Sequence, residues 1–372
     1  MSIRRMLFLY ISVGSGHQQA ADAIVKAINQ LNPQIQTLSV NSFNYISPLL
    51  EKIVNSIYMA IIKATPEVWD YLYDNPKIVG KTAEVRKFIN KINSPGLIRL
   101  VEEFNPDVIV CTQAFPSGII SAYKEKTNSD ISLVAVPTDY IVHSYWVSNK
   151  IDLYIVPSED TKNILTHSII PEEKILPYGI PINPLFRLKH DKAKIFRELN
   201  LNPDLPVLLV MGGSQGLGRL YKITMHLEKI DVPFQIIIVT GTNGFLRERL
   251  ERRQPHFRKV TKIFGYVTNI YELMEISTLI ITKAGGLTVA ESLAKGVPLV
   301  IINPIPGQEE KNTQFLLREG VALRAENAKH LNSLIKDLFS HPEKIKEMRQ
   351  KATVLGKPNA AINIANLLIN LK

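Results

Sequence analysis

Met6-Leu7-Phe8-Leu9-Tyr10-Ile11-Ser12-Val13-Gly14-Ser15-Gly16-His17-Gln18-Gln19-Ala20 passes from a nearly unbroken apolar run, through two glycines, into a helical pattern. A run without polar alternation is the signature of a parallel strand covered on both faces. With a helix over 17–29, the segment predicts a strand–turn–helix unit near the start of the chain. The same grammar recurs. Strands are expected at 37–40, 108–111, 133–136 and 154–156, then at 207–211, 235–240, 262–264, 279–282 and 298–302, with helices such as 288–295 between them. Alternating β and α elements imply right-handed crossovers and doubly wound parallel sheets.

Both periodicities break over 178–187, where Pro181 and Pro184 interrupt them, and the β–α order then restarts. A linker there predicts domains at 1–184 and 185–372, with the last helix, about 357–372, expected to pack back on the first domain. A chain of 372 residues is long enough for two buried cores. Ligands bind at the carboxyl ends of such sheets, so two domains facing one another would enclose a cleft.

The hydrophobic fraction of 45% and charged fraction of 21% are those of a soluble globular protein. No apolar run reaches the eighteen or so residues needed to span a bilayer. The basic start, Met-Ser-Ile-Arg-Arg, leads to a glycine loop and a helix, not to a signal cleavage site. Cys111 is the single cysteine, which excludes an internal disulfide framework and fits a cytoplasmic protein. The net charge of +10 is uneven: residues 1–186 hold 16 basic against 17 acidic side chains, the remainder 28 against 17. A basic second half suits a phosphorylated substrate, anionic lipid or nucleic acid. No interleaving of aromatic and basic residues supports nucleic acid.

Four segments carry chemistry. In Gly14–Ala20 the glycines permit a tight turn, although Gln19 occupies the third-glycine position of a dinucleotide fingerprint. His17, at a helix start beyond a strand, is either a general base or a cap of the turn. Met211-Gly212-Gly213-Ser214-Gln215-Gly216-Leu217-Gly218 makes a phosphate cradle of backbone amides. The same letters satisfy G-x-S-x-G, which leaves open a serine hydrolase using Ser214, Asp231 or Asp337, and His341. Thr282-Lys283-Ala284-Gly285-Gly286-Leu287-Thr288-Val289-Ala290-Glu291 repeats the strand–glycine–helix design; Glu291 either accepts hydrogen bonds from vicinal hydroxyls, as on a ribose, or is a solvated helix residue. Pro306-Gly307-Gln308-Glu309-Glu310-Lys311-Asn312 suits sugar hydroxyls or is a plain acidic loop. The sequence has no Asp-x-Asp, HExxH, CxxC or Walker A motif, so no metal or P-loop chemistry is signalled.

Taken in order, Gly14–Ala20, the block Pro137-Thr138-Asp139-Tyr140 with His143 and Trp146, Tyr178-Gly179-Ile180-Pro181-Ile182, Gly212–Gly216, and Lys283–Glu291 followed by Pro306–Asn312 resemble one family over nearly the whole chain. It is the monogalactosyldiacylglycerol synthase and processive diacylglycerol glucosyltransferase family, related to the peptidoglycan transferase MurG. The resemblance implies an α/β GT-B fold: two Rossmann-like domains, with acceptor mainly on the first and nucleotide sugar mainly on the second. It implies an inverting transfer of a hexose, glucose rather than galactose, from a UDP-sugar to diacylglycerol or a glycosyl-diacylglycerol, without cofactor or metal. A MurG-like transferase acting on a polyprenyl-linked acceptor is the alternative.

By the same resemblance His17 is the base and Asp139 the acidic partner that orients it. Gly213, Ser214 and Gln215 form the diphosphate loop, and Gly265, Tyr266 and Val267 grip uracil. Gly285, Gly286 and Thr288 belong to the donor site, Glu291 binds ribose, and Gln308 and Glu309 contact the sugar. Gly16, His143 and Trp146 fall on the acceptor side. Ser15 departs from the Gly-Gly-Gly-His of many relatives.

Two segments point to a membrane. Residues 49–63 place apolar side chains at 49, 50, 53, 54, 57, 58, 61 and 62, an amphipathic helix that lies on a bilayer or packs on its own domain, and Trp69 and Tyr71 follow it. Residues 247–262 are strongly basic, including Arg252 and Arg253, and suit either solvent or an anionic membrane surface. The expected location is peripheral, on the cytoplasmic face.

Overall fold

The computed structural model describes residues 3–11, 16–46, 94–142, 146–148, 150–167 and 170–371. The chain forms two compact units. One comprises Met1–Pro184, Pro306–Gln308 and Asn359–Lys372; the other comprises Leu185–Ile305 and Glu309–Pro358. The amphipathic segment 49–63, Trp69, Tyr71 and His143 lie outside the described residues.

The first unit holds a six-stranded parallel sheet, β1 (Arg5–Tyr10), β2 (Gln36–Asn41), β3 (Val108–Cys111), β4 (Ser132–Ala135), β5 (Leu153–Ile155) and β6 (Ile175–Leu176), in the order β2-β1-β3-β4-β5-β6. Burial on both faces explains the apolar runs. Leu7, Leu9, Ile109, Cys111, Leu133 and Ala135 enter one core, whereas Met6, Phe8, Val108, Val110 and Val134 enter the other. Side chains alternate between faces along each strand, so both faces need apolar residues. The second core is closed by helix Gly16–Leu31 (Ala21, Ile24, Ala27, Ile28) and by helix Ala360–Ile369 (Ala361, Ile364, Ala365, Leu368). The small alanines allow these two helices to pack closely. Register pairs Met6 with Thr37 on one side and with Val108 on the other. The chain therefore leaves β1 for one edge and returns on its other side, which puts the topological switch at β1/β3.

The second unit repeats the plan with β7 (Val207–Met211), β8 (Gln235–Val239), β9 (Thr261–Phe264), β10 (Leu279–Thr282), β11 (Leu299–Ile302) and β12 (Ala322–Ala325), ordered β12-β11-β10-β7-β8-β9 and all parallel. Its switch lies at β7/β10. Leu208, Val210, Ile236, Ile238, Leu279, Ile281, Val300 and Ile302 face helices Leu220–Leu227, Gly244–Arg253 and Ala328–Ser340.

Two strands exceed the sequence expectation. β6 has only two residues, too few for a pattern. β12 reads Ala-Leu-Arg-Ala, letters of high helix propensity, and becomes a strand by pairing Leu299 with Ala322 and Ile302 with Ala325.

Candidate active site

In the first unit, helix Gly16–Leu31 starts beyond the carboxyl end of β1 and carries His17 in its first turn. Two threonines from the ends of neighbouring strands hold this residue. Thr112, the first residue after β3, donates its hydroxyl to the His17 carbonyl at 2.8 Å. Thr138, shortly after β4, places Oγ1 3.0 Å from His17 Nδ1. His17 keeps part of its surface open, yet the protein packed around the ring strips its water and lowers the imidazole pKa to about 4; a hydrogen bond to the Thr112 backbone opposes the shift. At pH 7 the ring is neutral and able to accept a proton.

The partner of Nδ1 is thus Thr138, not Asp139. Asp139 accepts a 2.8 Å hydrogen bond from Gln308 Nε2, within the same unit. Trp146, expected on the acceptor side, is 4% exposed in the core beside Val142, Ile151 and Tyr154, and its carbonyl accepts from the Tyr154 hydroxyl. An indole buried this deeply offers no surface to a bilayer. Gly16 opens the helix; Gly14 and Ser15 lie outside the described residues.

In the second unit the Gly212–Gly218 turn follows β7 and is locked against the loop after β8. Gly213, Gly216 and Gly241 have φ of +69°, +59° and +58°. A Cβ on Gly216 would fall 2.0 Å from the Thr240 carbonyl oxygen, and one on Gly241 2.1 Å from that of Ser214, so only glycine fits. Leu217 N–H donates to the Gly212 carbonyl at 2.9 Å, and Thr242 N–H to that of Ser214 at 2.8 Å. Gln215 stands exposed on the outside of this turn.

Across the β7/β10 switch, Gly285 caps helix Gly286–Ala294, which carries Thr288 in its first turn and Glu291 in its second. Glu291 is 8% exposed, and among the described residues its carboxyl has no hydrogen bond or ion pair. Burial raises its pKa to about 8, so it is mostly protonated at pH 7.

Helix Gln308–Arg318 follows β11 and brings Gln308 and Glu309. Glu309 is engaged through both oxygens: Oε1 is paired with Lys283 Nζ, and Oε2 accepts from Ile305 N–H at 2.8 Å. Lys283 is the first residue after β10. Neither Lys283 nor Thr138 has a role assigned by the sequence motif that contains it. The available signal was position, since both stand in the few residues beyond a strand's carboxyl end. Gly265, Tyr266 and Val267 follow the edge strand β9, with Tyr266 56% exposed.

The basic helix Gly244–Arg253 borders a concavity of about 450 Å³ lined by Tyr221, Phe245, Arg249, Arg252, Arg253 and His256. The Arg249 guanidinium stacks 3.8 Å from the Tyr221 ring centre, and Phe245 is 77% exposed. His341 and Asp337, which a Ser214 nucleophile would need, form a surface cluster in which Asp337 is bound by Lys344 at 2.8 Å. Among the described residues no three His, Cys, Asp or Glu side chains are grouped to hold a metal ion, and no helix is long and apolar enough to cross a membrane.

Residues 17–182 match the family model for monogalactosyldiacylglycerol (MGDG) synthase, and residues 207–364 match the glycosyltransferase family 28 C-terminal domain. The processive diacylglycerol beta-glucosyltransferase of Bacillus pumilus (strain SAFR-032) is 29% identical over 349 residues, 93% of this chain and 90% of that protein. The protein of the same name from Bacillus subtilis (strain 168) is 29% identical over 361 residues, 96% and 93% of the two chains. Among solved structures, Acinetobacter baumannii MurG matches with a TM-score of 0.65 at 16% identity, covering 99% of this chain and 100% of that one. At that identity the likeness speaks for the fold, an α/β arrangement of the GT-B type.

Proposed function

We propose, for a chain that belongs to the monogalactosyldiacylglycerol synthase and processive diacylglycerol glucosyltransferase family, that it transfers glucose from UDP-glucose to diacylglycerol or a glycosyl-diacylglycerol at a membrane surface. The observation that carries this reading is the pairing of chemistries: a neutral imidazole at one sheet's switch point and a glycine-locked anion cradle at the other's.

The acceptor hydroxyl attacks the anomeric carbon from the face opposite the diphosphate. His17 takes the hydroxyl proton, the carbon–oxygen bond to the β-phosphate breaks, and UDP departs with the electron pair, so configuration inverts. General-base help of this kind contributes about 10²–10⁴-fold. Charge growing on the diphosphate is met by the Gly212–Gly216 amides and the N-terminus of helix Gly286–Ala294, with no metal required. Glu291 accepts from the ribose hydroxyls, Tyr266 and its neighbours face uracil, and Gln308 faces the sugar. The concavity at Arg249, Arg252 and Arg253 supports attraction to anionic lipid on the cytoplasmic face, where each basic residue near the surface contributes about 1 kcal/mol.

The test is incubation with diacylglycerol vesicles and a panel of UDP-sugars, with products read by mass spectrometry and the new anomeric centre by NMR. Chelator is added in a parallel reaction. Transfer from UDP-glucose giving a β-linked lipid with chelator present is the expected result. Absence of lipid product with every sugar would refute the assignment, and an α-linkage would refute inversion.

A further inference from the structure

Lys283 is a cation placed where the proposed reaction develops negative charge. It is the first residue beyond β10, and the Gly212–Gly218 turn is the first beyond β7, so the two flank the switch point of the second sheet. A methyl built on Gly213 would lie 3.6 Å from Lys283 Cε, and one on Gly285 would lie 3.8 Å from its Nζ. The ammonium therefore sits between the phosphate turn and the start of helix Gly286–Ala294. Its side chain is 18% exposed and that of its partner Glu309 10%, so water screens the pair poorly. Glu309 is fixed in turn by the Ile305 N–H. Ala284, next to Lys283, gives its carbonyl to the buried Asn312 Nδ2 at 3.0 Å, which pins the backbone that carries the lysine.

We propose that Lys283 binds the donor's diphosphate and neutralises the leaving UDP, and that Glu309 acts through it, holding the ammonium in place instead of contacting the sugar directly. The inference rests on the UDP-sugar reading of this site. No bond to Lys283 forms or breaks; the ammonium shifts its hydrogen bonds from the Glu309 carboxylate to phosphate oxygens as the carbon–oxygen bond opens. A compact ammonium suits that task, and hydrogen bonds to charged groups are the strong ones.

Removing Lys283 alone would strand the Glu309 carboxylate, so the informative comparison is E309Q against K283Q/E309Q, which differ only in the lysine. Binding of UDP and of uridine is measured by calorimetry on the full chain. The expected result is that E309Q binds UDP more weakly than wild type, because the ammonium loses the carboxylate that holds it toward the phosphate turn. The double variant should lose about 10- to 100-fold for UDP, the loss of one charge-assisted contact, while uridine binds all three proteins within twofold. K283R should keep most of the UDP affinity. Equal UDP affinities in E309Q and the double variant would overturn the proposal, and so would uridine weakening in step with UDP, which would mark a purely structural role. Wild-type protein that binds neither UDP nor uridine would instead remove the nucleotide reading beneath it.

Discussion

Glu291→Gln should make the protein more stable and the donor site useless, and the two effects should follow pH in a defined way. The folded chain holds the Glu291 proton up to about pH 8, whereas the unfolded chain releases it near the ordinary value of 4.5. Wild-type stability therefore falls as pH rises from 4.5 towards 8 and levels off beyond. Each pH unit in that window costs about 1.4 kcal/mol, so the accumulated cost is about 3 kcal/mol at pH 7. Glutamine has the same shape and never ionises, so E291Q should match wild type near pH 4.5 and exceed it by about 3 kcal/mol at pH 7. For a unit of this size that is about 6–12 °C in Tm. Differential scanning calorimetry at pH 5, 6, 7 and 8 reads it directly, in the transition of the second unit. Parallel curves for the two proteins across this range would refute the reasoning, because they would mean that Glu291 titrates normally.

The same proton reports on the ligand. If the ribose hydroxyls donate to an ionised Glu291, uridine binding at pH 7 must expel about 0.9 proton, since the carboxyl is about nine-tenths protonated beforehand. Uridine carries no phosphate to confuse the count. Calorimetry in two buffers of different ionisation enthalpy gives the number, and E291Q should give zero. A wild-type value near zero would place the ribose elsewhere.

The remaining predictions concern both half-sites and the basic surface. His17→Ala should abolish transfer while UDP affinity stays within twofold, and turnover retained in that variant would remove the base assignment. At saturating donor, kcat/KM for the lipid should hold as pH falls through 6.5 and collapse only towards about 4, because the neutral imidazole is the active form; an acid limb at 6.5 would refute this. Gly241→Ala, at φ +58° and 2.1 Å from the Ser214 carbonyl oxygen, should cost about 2 kcal/mol or more and abolish UDP binding, read by thermal melt and calorimetry. Arg252→Ala with Arg253→Ala should weaken flotation on anionic vesicles about 30-fold, at about 1 kcal/mol per charge, with none of that loss on zwitterionic ones.

What could be read from the sequence was what local physics decides. Val207–Met211 and Leu279–Thr282 are strands because runs of Leu, Ile and Val covered on both faces fit little else. The glycines at 212, 213 and 216 announced a turn, and the structure shows that carbonyl oxygens exclude a side chain at 212 and 216, while a φ of +69° favours glycine at 213. What escaped was decided by distant neighbours. Ala322–Ala325 is a strand only because β11 is there to pair with it. Trp146 carries the same letter whether it faces lipid or core, and Ile151 and Tyr154 settle that it is buried. Thr138 and Lys283 looked ordinary because their importance comes from which strand ends the topology brings together, β1 with β3 and β4 in the first sheet and β7 with β10 in the second.

Those two junctions share one electrostatic design. His17 is pushed down and Glu291 up, in both cases chiefly by loss of water, so each stands in its neutral form at pH 7. A dry site that held bare charges before binding would carry their desolvation cost at all times. In the proposed reaction charging is deferred: Glu291 would ionise when a diol donates to it, and His17 would become a cation as the diphosphate gains negative charge. Lys283, the ammonium held between the phosphate turn and helix Gly286–Ala294, is paired with Glu309, whose second oxygen is fixed by the Ile305 N–H. Both neutral groups therefore depend on exclusion of water.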